Sequence, residues 1–180
     1  MISTTETKAL IWHEAALFKG SDDGDLRAAL AVFRDQGLSM AVVTTGDPGQ
    51  LRGTLLRQNL SAYFAHDASK VAVFSTVDHE TTVHDHALTG AFAQTLQTLG
   101  TDRHVTIAVV EDCEQVRRAR YAGLPVLGYT NAPLPTRERM VDYGARFAAS
   151  AAIDLEDAVL QFRPFREAKW HPMAAPRSSL

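Results

Sequence analysis

Two stretches of this chain, Met40-Ala41-Val42-Val43-Thr44 and Val105-Thr106-Ile107-Ala108-Val109-Val110, are apolar almost without interruption. A strand with one wet face alternates apolar and polar residues, whereas a nearly continuous apolar run marks a strand covered on both faces. Shorter runs of the same kind are Ala9 to Trp12, Val71 to Phe74, Pro125 to Tyr129 and Arg146 to Ala149. Between them lie segments with helical spacing: Leu26, Ala29, Leu30 and Phe33; Leu51, Leu55 and Leu56; Leu88, Phe92, Leu96 and Leu99. Further helices are expected over 113–122 and 137–143, with a last turn or two over 154–159. Asp25 is placed to cap the first helix, Gly37 to end it, and Pro48 to open the second. Strands alternating with helices predict a three-layer α/β sandwich with a mostly parallel, Rossmann-like sheet.

One domain is what 180 residues predict. Residues 1–162 carry the alternating pattern. From Arg163 to Leu180 proline and polar residues interrupt every period, and this segment is expected to be a surface-docked or disordered tail. Apolar residues make up 46% of the chain, enough for a real core, which excludes a disordered or collagen-like chain. A formal charge of −3 supplies no field for gripping nucleic acid or an anionic membrane. No run approaches the roughly 18 apolar residues of a membrane helix. Cys113 is the lone cysteine and has no internal partner, so the cytoplasm is the expected compartment.

In parallel sheets, function sits in the loops beyond the carboxyl ends of the strands. Here these are His13-Glu14, Thr44-Thr45, Ser75 to Asp78, Glu111-Asp112 and Thr130-Asn131. There is no GxGxxG and no GxxxxGK[ST], so neither a dinucleotide nor a P-loop site is indicated. Ala41-Val42-Val43-Thr44-Thr45-Gly46 is an apolar strand ending in a hydroxyl residue. Val109-Val110-Glu111-Asp112-Cys113-Glu114 leads on to Ala122-Gly123-Leu124-Pro125-Val126-Leu127-Gly128-Tyr129 and Thr130-Asn131-Ala132-Pro133. In that order these segments resemble the second and fourth motifs of the haloacid dehalogenase-like hydrolase superfamily. The similarity runs from about Lys8 to Val159 and is most specific from Glu111 to Ala145.

The resemblance implies a site whose first motif, Asp-x-Asp-Gly-Thr, supplies a nucleophile and a general acid, with Mg²⁺ neutralising the phosphate. This chain departs from that pattern. His13 stands at the nucleophile position and Ala15 at the general-acid position, and a methyl group carries no proton. Shifting the register by one gives Glu14 and Ala16, which is no better. The third motif's Lys has no counterpart near His86, and Lys70 precedes a strand. Of the charged apparatus Asp112 remains, with Glu111 beside it, as weak candidate Mg²⁺ ligands.

Other features admit plainer readings. His79 and His84 are five apart rather than four, so a solvated loop is preferred to a metal site for the His79–His84–His86 stretch. Cys113 is read as a small core-facing residue, and Arg117, Arg118 and Arg120 as a solvated helix face. Trp170, Phe162 and Phe165 are either a docking anchor or tail packing. The gaps between motifs hold one helix each, leaving no room for a cap domain and an open strand-end cleft. A protein partner or a second copy is expected to cover it. The leading expectation is a catalytically impaired or non-catalytic binding, regulatory or assembly subunit. The alternative is a phosphatase-like hydrolase with altered chemistry, using His13 or Glu14 with Asp112, and Thr44 as an anion-binding hydroxyl.

Overall fold

Leu10 and Trp12 point to one side of the first strand and Ile11 to the other, and all three are fully buried. A strand so placed needs a helical layer on each face, and the fold supplies both. The structure is a computed structural model that describes residues 7–19, 23–67, 70–75 and 84–162. Strands β1 (Ala9–His13), β2 (Ser39–Thr44), β5 (Val73–Ser75), β6 (Thr106–Val110), β7 (Val126–Tyr129) and β8 (Phe147–Ala149) form a sheet in the order β5-β2-β1-β6-β7-β8. Every pairing in it is parallel. The connecting helices are α1 (Glu14–Leu17), α2 (Asp23–Asp35), α3 (Pro48–Arg57), α4 (His84–Leu99), α5 (Cys113–Tyr121), α6 (Leu134–Asp142) and α7 (Ala152–Leu160).

The alternation along the strands divides the core in two. Leu10, Trp12, Val42, Ile107 and Val109 pack with Leu30 and Phe33 of α2, Leu51 and Leu55 of α3, and Leu155 and Val159 of α7. Ile11, Val43, Ala108 and Val110 pack with Phe92 of α4, Val116 and Ala119 of α5, and Met140 of α6. Each buried aliphatic or aromatic side chain stabilises the fold by about 1.5–3 kcal/mol, so both layers are needed to hold the sheet. Gly128 lets α6 sit this close: a Cβ there would lie 2.7 Å from Met140 Cε and 2.9 Å from Ala148 Cβ. Gly123 closes α5 at φ +80°, where an L side chain is strained.

The expected three-layer α/β architecture is present, with several local corrections. The run expected as one strand over Val71 to Phe74 is divided. β4 (Lys70–Val71) pairs antiparallel with β3 (Ala65–Asp67), whereas β5 joins the main sheet. The change of partner falls at Ala72, whose N–H donates to Phe64 O while its carbonyl accepts from Val42 N–H. Asp25 lies inside α2 rather than capping it, and α6 begins at Leu134, before Arg137. His13 is not a loop residue but the last residue of β1. Arg118 is not on a solvated face: it is buried and bonded to Glu114, with Nη2–Oε1 at 2.6 Å. The segment between β1 and β2 comprises α1 and α2, and the described residues contain no cap domain. Among them no helix is long and apolar enough to cross a membrane. Residues 76–83 and 163–180, with His79, Phe165 and Trp170, lie outside the described residues.

Candidate functional site

β1 sits between β2 and β6, so its carboxyl end is where the chain leaves the sheet in both directions, the usual place for a site in such folds. His13 pairs in register with Val43, and Thr44 ends the neighbouring strand. On the other side β6 ends at Val110 and delivers Glu111 and Asp112. The sequence candidates His13, Glu14, Thr44, Glu111 and Asp112 therefore belong to three adjacent strand ends.

His13 is 3% exposed. Its Nδ1 accepts a hydrogen bond from Ala15 N–H at 3.3 Å and so caps α1. Burial pushes its pKa below the ordinary value, against the pull of the Glu14 and Asp112 carboxylates. In a neutral ring whose Nδ1 accepts, the proton resides on Nε2, and that buried N–H has no partner among the described residues. Neither ring nitrogen then offers a free lone pair to a substrate or a metal. The unfolded chain takes up a proton near 6.5 and the folded one only below it, so stability rises with pH through that window. Acidification below pH 6.5 should destabilise the protein, with a slope from this group of at most about 1.4 kcal/mol per pH unit. His13→Asn keeps an acceptor for the Ala15 N–H and removes the titration. Denaturant melts across pH should show less acid sensitivity in the variant, and equal sensitivity would contradict the assignment.

Thr44 is fully buried, and its Oγ accepts from Gly46 N–H at 2.9 Å, closing the turn after β2. A Cβ built on Gly46 would lie 3.5 Å from that hydroxyl and 3.9 Å from Glu14 Oε1, so the Glu14 carboxylate reaches over the same turn. Asp112 caps α5. Its Oδ1 accepts from Gln115 N–H at 2.8 Å and its Oδ2 from Gln115 Nε2 at 2.7 Å. Gln115 Oε1 in turn accepts from Glu111 N–H at 2.9 Å. Burial and the neighbouring Asp112 raise the Glu111 pKa, and Lys19 opposes them.

Lys19, Gln115 and Asn131 complete the picture; the sequence points to the Thr130-Asn131 loop but singles out neither Lys19 nor Gln115. Lys19 Nζ donates to Asn131 Oδ1 at 3.0 Å and to Ser150 O at 2.8 Å, and lies 3.6 Å from the centre of the Tyr129 ring. Asn131 Nδ2 returns a bond to Lys19 O at 2.6 Å. Burial lowers the Lys19 pKa to about 8, with Glu111 opposing and Arg137 adding to the shift. The Gln115 contact did have a signal, since Asp112-x-x-Gln115 has the spacing of a capping box. Lys19 had only its place six residues past His13.

The Mg²⁺ that the resemblance implies is not well served by this donor set. Each Asp112 oxygen already accepts one hydrogen bond from Gln115, and the His13 ring has no free lone pair. Among the described residues no three His, Cys, Asp or Glu side chains converge as a metal-binding group. As they stand, these residues do not fit a divalent cation. Side chains of His84 and His86, in α4, lie outside the described set.

No protein-family model matches the chain, and no curated protein matches it either. Solved structures do. A conserved haloacid dehalogenase-like protein of unknown function from Agrobacterium tumefaciens superposes with a TM-score of 0.62 at 20% identity, over 76% of this chain and 59% of that one. A haloacid dehalogenase family hydrolase from Deinococcus radiodurans, with bound phosphate and sodium, gives 0.58 at 16% identity over 74% and 59%. A Bacteroides vulgatus protein provisionally assigned as a β-phosphoglucomutase gives 0.65 at 10% identity over 89% and 93%. The chain has the haloacid dehalogenase-like core fold. It spans less than two thirds of the length of the first structures it matches.

Proposed function

We propose that this chain is a haloacid dehalogenase-like core that acts by binding, as a regulatory or assembly subunit, and not by phosphoryl transfer. The observation that carries the reading is His13: at the position of the attacking carboxylate stands a buried, neutral imidazole that spends its acceptor nitrogen on capping α1. Ala15 supplies no acid. Catalytic groups act as a unit, and loss of one commonly costs several powers of ten in rate. The described residues contain no cap domain over the strand ends, so a protein partner or a second copy of the chain is their proposed cover.

The test is a steady-state assay with p-nitrophenyl phosphate and Mg²⁺, comparing the wild type with Asp112→Asn. No Asp112-dependent turnover above the uncatalysed rate is expected, and robust turnover lost in the variant would overturn the reading. One observation favours the second reading, an altered hydrolase: Glu14 reaches the Thr44–Gly46 turn. That version requires turnover that disappears in Glu14→Gln.

A further inference from the structure

We infer that Gln115 holds the Glu111-Asp112 loop in a closed, metal-excluding state, its amide standing where a divalent cation would otherwise draw the Asp112 carboxylate. A carboxylate at the end of β6 has two oxygens to give. A cation of the Mg²⁺ class takes oxygen ligands at about 2.0–2.1 Å and needs near-octahedral freedom around them. Here Oδ1 is held by the Gln115 backbone N–H and Oδ2 by its side-chain amide, at 2.8 and 2.7 Å. The other end of the same amide accepts from Glu111 N–H at 2.9 Å, which fixes the preceding residue as well.

Gln115 is 8% exposed, so its amide is not in ready exchange with water. One side chain thus satisfies an orphan donor ahead of α5 and, with its own backbone N–H, places one hydrogen bond on each oxygen of its cap. A typical capping box returns its Gln to the backbone N–H of the cap residue itself. This Gln reaches one residue further back, to Glu111, and one of its amide hydrogens is thereby turned onto Asp112. Glu111 also lies within the field of the Lys19 ammonium. Both carboxylates therefore already face positive or donor groups belonging to the chain.

This inference shares with the proposed function only the assignment of the strand-end site, and the two fail separately. The test is Mn²⁺ binding to the full chain, followed by electron paramagnetic resonance of the free ion. Four proteins are compared: wild type, Asp112→Asn, Gln115→Met, and Gln115→Met with Asp112→Asn. Met keeps the buried volume and removes the amide, leaving the backbone bond to Oδ1 while releasing Oδ2. Wild type and Asp112→Asn should bind Mn²⁺ alike. Gln115→Met should bind about tenfold more tightly or better, since the lost bond is charge-assisted, and the double variant should lose the gain.

Ions held by histidines elsewhere are common to all four proteins and cancel. Gln115→Ala repeats the measurement should the Met variant fail to fold, with thermal melting as the check. Asp112-dependent Mn²⁺ binding by the wild type would overturn the inference, and so would a folded Gln115 variant that gains nothing. Wild type without turnover but with Asp112-dependent binding would sink this inference and spare the proposed function. Turnover without such binding would do the reverse.

Discussion

His13→Asp should destabilise the protein by about 3–4 kcal/mol at pH 7 and should not create a phosphatase. The site is 3% exposed and lies in the field of the Glu14 and Asp112 carboxylates. Burial and two like charges both disfavour ionisation of a third carboxyl group, so its folded-state pKa is raised above the unfolded 3.9 or so. The ceiling on the penalty is the cost of keeping that acid protonated at pH 7, about 4 kcal/mol for three units. The sign follows from linkage. Between the unfolded and the raised folded pKa the folded state holds more protons, so stability falls as pH rises through that window and the penalty vanishes below about pH 4. A carboxyl oxygen in the variant can still accept from Ala15 N–H, so the cap of α1 is kept and the penalty is one of ionisation. Urea melts of wild type and variant at pH 7 and pH 4 decide the matter. A variant as stable as wild type at pH 7 would mean that a counter-charge, such as an unassigned cation, already stands beside His13.

The second large effect is at Lys19. With a pKa of about 8, half of its amine is unprotonated at pH 8. A lysine of ordinary pKa, about 10.4, has roughly 0.4% free amine at that pH, so the reactive fraction differs by about a hundredfold. Brief labelling with acetic anhydride across pH 6–11, read by peptide mass spectrometry, should show Lys19 modified with a midpoint near 8. A midpoint above 10 would mean that burial does not hold this amine near 8. The seat between Asn131, Ser150 and the Tyr129 ring explains why the shift is no larger. Two carbonyl oxygens and an aromatic face favour the charged form, and Glu111 adds to them, while burial opposes all three.

Much of the architecture could be read from local pattern. β2 and β6 showed themselves as uninterrupted apolar runs because both faces are covered, and the two-sided clusters around Val42 and Val43 are the direct cause. Asp47-Pro48 opens α3 as such a pair should: the Asp47 carboxylate accepts from Gly49 N–H at 3.2 Å and Gln50 N–H at 3.0 Å. The β3–β4 hairpin was not legible. Val71 and Val73 look alike in sequence, and only the exchange of partners at Ala72 separates them. Arg118 looked solvated because its neighbours Arg117 and Arg120 are. Its burial depends on the docking of α4, where Thr89 Oγ donates to Arg118 O at 3.4 Å.

The candidate site divides along the same line. The sequence by itself determined a parallel sheet between helical layers and the strand ends where a site belongs. These follow from periodicity and residue type, which act over a few residues at a time. What occupies those strand ends was decided by tertiary structure. Lys19 meets Asn131 and Ser150 across 112 and 131 residues of chain, and no local pattern encodes such a meeting. The imidazole of His13 becomes a neutral cap because burial, a property of the closed fold, lowers its pKa. Asp112 becomes a helix cap held by Gln115 because helix α5 starts where β6 ends, which turns a candidate metal ligand into part of the helix's own hydrogen bonding.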